Sequence, residues 1–130
     1  MQKTICVIDD DELYQFLIKK ELGKSDLVGK IQLFSDGEKA LNYIVENKDN
    51  ADSLPDIIFL DISMPVMNSW EFLDSYNDIK EDLSKEIKIL IVSSSFDSRD
   101  IERAKEYSEI SKYLIKPITR SNLIAVLKGS

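Results

Sequence analysis

Two textures alternate along this 130-residue chain. Short runs of Ile, Leu, Val and Phe recur at ICVI (5–8), KIQLF (30–34), DIIFLD (56–61), IKILIVS (87–93) and KYLIK (112–116). The first, third and fourth are nearly continuous, which is the pattern of strands covered on both faces. Between them apolar residues fall at helical spacing. Residues 11–22 place Leu13, Phe16 and Leu17 on one predicted apolar face, with Ile18 and Leu22 beside it. Residues 36–47 follow Ser35-x-x-Glu38, read as a capping box, and carry Ala40, Leu41, Ile44 and Val45. A third helix is predicted near Ser69 with Phe72, Leu73 and Tyr76, a fourth after Asp97 with Ile101 and Ala104, and a fifth from Thr119 with Leu123, Val126 and Leu127. The pattern is (βα)₅: an α/β, doubly wound fold whose right-handed crossovers put helices on both faces of a parallel sheet.

Such folds place their sites beyond the carboxyl ends of the strands. Those ends carry Asp9, Asp10 and Asp11 after the first strand and Asp61 on the third. Ser93, Ser94 and Ser95 follow the fourth, and Lys116-Pro117 the fifth. The second strand ends on Phe34-Ser35-Asp36, which only starts a helix. Taken singly, these features have ordinary readings: a solvated helix start, a capping group, a polar loop, a turn. Together they do not. Asp9, Asp10 and Asp61 near one point cannot all stay ionised without compensation. A hard divalent cation, Mg²⁺ or alternatively Mn²⁺, supplies it through oxygen ligands. Lys116 adds a mobile ammonium and Ser93 a hydroxyl, and metal, ammonium and hydroxyl together suit a phosphoryl group. A carboxylate can itself accept that group as an acyl phosphate.

Composition narrows the chemistry further. The chain has no histidine, which removes imidazole metal sites and histidine acid–base catalysis. Its net charge of −7, with no basic cluster, argues against nucleic-acid binding. Cys6, the one cysteine, lies in an apolar run and reads as a small buried hydrophobe. No run is long enough to span a membrane and no signal peptide opens the chain, so the expected location is the cytoplasm.

The ordered motifs VIDDDE, LDISMPVMNSWEFL, ILIVSSS and YLIKP resemble those of the receiver domains of two-component response regulators, in the stand-alone, CheY-like form. The resemblance covers essentially the whole chain. It implies a flavodoxin-like sheet of order 2-1-3-4-5 and one receiver domain over residues 1–130 with no output domain, the initial Met favouring a whole protein. It also implies that Asp61 is the phosphoacceptor and that Asp9 and Asp10 hold Mg²⁺, with Asp61 and the backbone carbonyl of Ser63 as further ligands. Ser93, with Ser94 after it, matches the switch position and Lys116 the phosphate-pairing lysine. Tyr113 matches the aromatic switch residue, and Pro117 the residue that often follows the lysine through a cis peptide. Asp11 and Glu12 then form the acidic first turn of a helix. Ser69 stands where the family commonly has Gly. It could cap the third helix, with Asn68 taking any left-handed conformation. Trp70 reads as a partly exposed packing residue.

The function implied is a phosphoprotein switch in phosphorelay signal transduction rather than an enzyme. A sensor histidine kinase or histidine phosphotransfer protein phosphorylates it, aided by self-catalysis from small donors. A changed surface of the fourth helix, fifth strand and fifth helix then controls a downstream protein target, and autodephosphorylation resets it. A monomer or a weak, phosphorylation-linked dimer is expected. The competing readings are a Mg²⁺-dependent phosphatase of the haloacid-dehalogenase type, for which Ser63 stands where a second acid is needed, and a degenerate interaction module that is never phosphorylated.

Overall fold

The computed structural model describes residues 2–62, 68–94 and 97–129. Strands and helices alternate: β1 (Lys3–Ile8), α1 (Glu12–Gly23), β2 (Val28–Phe34), α2 (Gly37–Glu46), β3 (Ile57–Asp61), α3 (Ser69–Ile79), β4 (Lys88–Ser93), α4 (Ser98–Ala104), β5 (Ile110–Ile115) and α5 (Arg120–Gly129). A 3₁₀ turn, Lys80–Asp82, follows α3. The strands form one parallel sheet of order β2-β1-β3-β4-β5, the order that the resemblance implies.

The period of two along each central strand divides the core. Ile5, Val7, Ile57, Phe59, Leu90 and Val92 pack on one face against Ile18 and Leu22 of α1 and Leu123, Val126 and Leu127 of α5. Cys6, Ile8, Ile58, Leu60, Ile89 and Ile91 pack on the other, against α2, α3 and α4. Covering on both faces is what makes β1, β3 and β4 continuously apolar, whereas the edge strands β2 and β5 are only partly buried. Cys6 is buried, and that burial pushes its thiol pKa far up.

Four local expectations are corrected. Leu13, Phe16 and Leu17 do not face the core: they are 67%, 58% and 50% exposed, and α1 buries Ile18 and Leu22 instead. Spacing alone identified a stripe on this helix, but α1 has two apolar stripes and the sheet takes only one. The cap of α2 is Asp36, not Ser35: its Oδ1 accepts from the Lys39 N–H at 2.8 Å. Asn68, not Ser69, caps α3, in a capping box with Glu71. Asn68 has φ −71°, and no described non-glycine residue has positive φ. The Ser69 hydroxyl instead donates to the Ile62 carbonyl at 2.8 Å, a buried bond across the ends of the β3–α3 connection that a glycine could not make. Trp70 is buried rather than partly exposed. Its ring stacks on Tyr107 at 5.8 Å, and the Arg103 guanidinium lies 4.7 Å from the ring centre.

The assignment of the α1 faces has a direct consequence for stability. Leu22→Ala is expected to cost about 2–5 kcal/mol, whereas Leu17→Ala is expected to stay within about 0.5 kcal/mol of the parent protein. Urea unfolding of the two variants side by side reads the difference.

Candidate functional site

Strand register builds the site. Ile8 pairs with Leu60, so the next residues, Asp9 and Asp61, emerge side by side at the centre of the sheet. Asp61 pairs with Val92, and Ser93 with Ile115, which brings Lys116 to the same end. The Lys116 N–H donates to the Ser93 carbonyl at 2.8 Å. The Lys116–Pro117 peptide is cis.

Asp9 is the most enclosed of the acids, at 2% exposure. Its Oδ1 accepts from the Asp11 N–H at 2.9 Å and its Oδ2 from Lys116 Nζ at 2.7 Å. The same ammonium lies 3.5 Å from Asp61 Oδ1, so Lys116 bridges the two carboxylates. Asp10 is exposed at the rim. Asp9, Asp10 and Asp61 each offer an oxygen within 4.8 Å of the others. Asp11 instead caps α1, its side chain accepting from the N–H groups of Leu13 and Tyr14.

The electrostatics of this cluster are unbalanced. The Asp61 pKa rises to about 6: burial contributes most, then the Asp9 charge, against which Lys116 acts only in part. Burial draws the Lys116 pKa down, yet its contacts with Asp9 and Asp61 outweigh that, and it lies above its ordinary value. One ammonium therefore leaves an excess of negative charge among hard oxygen donors. That donor set fits Mg²⁺ or Mn²⁺, with room at the Asp10 rim for water ligands. Ser63 lies outside the described residues, as does Ser95.

Ser93 is buried at the end of β4, and its hydroxyl is hydrogen bonded to the Tyr113 phenol on β5. Burial raises the Tyr113 pKa despite that bond. Ser94 is exposed just beyond the strand, and Pro117 is exposed beyond Lys116. Two more residues belong to the site without having been singled out by motif. Gln15 Nε2 donates to the carbonyls of Asp9 and Phe34, both at 2.8 Å, and ties the ends of β1 and β2 together. The Tyr14 ring lies over Lys116, with Nζ 4.2 Å from the ring centre. The signal for Tyr14 is its place: it lies in the first turn of the helix that follows the acidic run. Gln15 gives no such signal, because its partner strand end is 19 residues away.

The family model of the response regulator receiver domain matches residues 5–128. The chain is 25% identical over 119 residues to the "Probable methanogenesis regulatory protein FilR2" of Methanothrix harundinacea, covering 92% of this chain and 75% of that one. It spans between 26% and 75% of the length of the curated relatives it matches. A two-component response regulator from Cytophaga hutchinsonii superposes with TM-score 0.87 at 29% identity, covering 99% of this chain and 96% of the other. The phosphorylated cyanobacterial phytochrome response regulator RcpA superposes with TM-score 0.79 at 26% identity, covering 99% and 91%.

Crowding of the acids predicts a pH-dependent cost. Asp61 holds its proton more tightly in the folded protein, with a pKa of about 6, than an ordinary aspartate carboxyl does. Its contribution to stability is therefore greatest below about pH 4 and is lost as pH rises through 6. Asn at this position carries no such cost. In chelator, Asp61→Asn is expected to exceed the parent protein by about 1–3 kcal/mol above pH 7, with the gap closing below pH 4. Thermal melts across that range measure it.

Proposed function

The chain belongs to the response regulator receiver domain family, and from that premise we propose that Asp61 is its phosphoacceptor and that Asp9, Asp10, Lys116, Ser93 and Tyr113 serve that one chemistry. Receiver domains are phosphorylatable signalling switches that bind Mg²⁺ through acidic residues and act between kinases and downstream targets. The observation that carries the assignment is the bridging of Asp9 and Asp61 by Lys116 inside a three-carboxylate cluster.

The donor in this reading is a phosphohistidine on a kinase or phosphotransfer protein. An Asp61 oxygen attacks phosphorus, the P–O bond forms as the P–N bond breaks, and the imidazole leaves with a proton. Asp9, Asp10, Asp61 and the Ser63 carbonyl would hold Mg²⁺, which when bound neutralises charge on the phosphoryl oxygens. Lys116 is already against the acceptor oxygen and exchanges its Asp9 contact for a phosphoryl oxygen. Leu13, Phe16 and Leu17 form an exposed apolar surface on α1, the helix that starts three residues past Asp9, and the donor seats against it.

Output follows from the Ser93–Tyr113 hydrogen bond. When Ser93 turns to donate to the phosphoryl group, Tyr113 loses its partner and moves, and the α4–β5–α5 surface shifts between two states. The Trp70–Arg103–Tyr107 stack, with Tyr107 Oη donating to Asp74 Oδ1 at 2.9 Å, ties that surface to α3. Hydrolysis of the acyl phosphate resets the switch.

Incubation with Mg²⁺ and acetyl phosphate is expected to add one phosphoryl group by intact mass, and Asp61→Asn is expected to gain none. A phosphorylated Asp61→Asn variant would overturn the assignment. Trp70 is the chain's one tryptophan, so beryllofluoride with Mg²⁺ is expected to change its fluorescence as α4 moves. Arg103→Ala is expected to reduce that change.

A further inference from the structure

We infer that Tyr14 is a phosphoryl-site residue of this chain: its ring holds the Lys116 ammonium in place, and its buried hydroxyl donates a hydrogen bond to the phosphoryl group on Asp61. The inference rests on the reading of Asp61 as phosphoacceptor.

Two observations carry it. First, Lys116 Nζ lies 4.2 Å from the Tyr14 ring centre, 2.7 Å from Asp9 Oδ2 and 3.5 Å from Asp61 Oδ1. The ammonium is thus enclosed by one aromatic face and two carboxylates. The ring attracts it through its quadrupole without neutralising it, so Lys116 can leave Asp9 for a new anion and stay over the ring. Those distances also put the ring within a side chain's reach of the acceptor oxygen. Second, the Tyr14 hydroxyl is shielded from solvent and has no hydrogen-bond partner among the described residues. A buried hydroxyl without a partner costs about 1–3 kcal/mol, and buried polar groups are normally paired. Phenylalanine would hold Lys116 with the same ring and carry no such cost. The hydroxyl has a physical reason in a state where it is bonded, and a phosphoryl group on Asp61 provides that state.

The electrostatic setting keeps the group a donor. Burial first, then the charges of Asp9 and Asp61, raise the Tyr14 pKa well above that of an ordinary phenol. Titratable or charged groups facing it are Asp9, Asp61 and Lys116. It therefore remains protonated at any pH at which the protein works. A phosphoryl dianion with three acceptor oxygens then meets three neutral or cationic donors: Lys116 Nζ, Ser93 Oγ and Tyr14 Oη.

The test separates the hydroxyl from the ring. The full chain, Tyr14→Phe, Tyr14→Leu and Asp61→Asn are compared by melting temperature and by titration with beryllofluoride in excess Mg²⁺, read by thermal shift. Aspartyl-phosphate lifetime after acetyl phosphate treatment is measured alongside. Tyr14→Phe is expected to melt at or above the parent temperature without ligand, yet to bind beryllofluoride about tenfold to a hundredfold more weakly, as one charge-assisted hydrogen bond is lost. Its phosphoryl lifetime is expected to change with it. Tyr14→Leu, lacking the ring as well, is expected to bind more weakly still. If Tyr14→Phe binds beryllofluoride as tightly as the parent while Asp61→Asn binds none, the role of the hydroxyl is overturned and the phosphoacceptor reading stands. If the parent protein itself neither binds beryllofluoride nor gains a phosphoryl group, both fall.

Discussion

The contact on which the rest of the site depends is the ion bridge from Lys116 to Asp9 and Asp61. It crosses more than a hundred residues of sequence to join the first and last strand ends. Two carboxylates that emerge from adjacent parallel strands repel, and in a partly buried setting that repulsion is large. A single ammonium between them compensates in part, as the raised pKa of Asp61 records. The residual imbalance suits a divalent cation, and in the proposed function it leaves Lys116 free to exchange Asp9 for a more highly charged group at Asp61.

The fold supplies what the bridge requires. The order β2-β1-β3-β4-β5 places β1 and β3 side by side at the centre, so Asp9 and Asp61 meet without any loop having to reach. Both strands are packed on each face against helices. Gln15 pins the end of β1 to the end of β2, and the Ser69 hydroxyl secures the start of α3 to the chain leaving β3. Asp10 and Ser94 lie exposed at the rim, while Ser93 is buried beside Tyr113. In the proposed function that inner pair exchanges one hydrogen bond for another next to an enclosed carboxylate.

Polar contacts at the helix starts show how local chemistry resolves into structure. Asp11, Asp36, Asn68, Asp97 and Thr119 cap the five helices with side-chain oxygens. Asp11 thereby stands apart from the carboxylate cluster even though it adjoins it in sequence. Within the DDDE run, neighbouring carboxylates have different work because the chain turns from strand to helix between them.

Much was legible in the sequence because it depends on short-range periodicity and on the order of motifs. Continuous apolar runs marked β1, β3 and β4 as central strands, and strand-terminal Asp9, Asp61, Ser93 and Lys116 marked one end of the sheet. Other features depended on what lies opposite in space. Which stripe of α1 faces the sheet is decided by Val7, Phe59 and α5, none of which the helix's own spacing contains, so Leu13, Phe16 and Leu17 came out exposed. Which of two adjacent polar residues caps α2 or α3 turns on where the first helical N–H groups come to lie. The burial of Trp70 needs Arg103 on α4 and Tyr107 just after it, and the placing of Tyr14 over Lys116 needs the fifth strand to end at the same end of the sheet as the first. By itself the sequence determined the elements, their alternation and the chemical inventory at their ends, since those follow from residue type and near neighbours. Tertiary structure alone decided which faces are buried and which charges share an ammonium, since those energies arise between residues that only folding brings together.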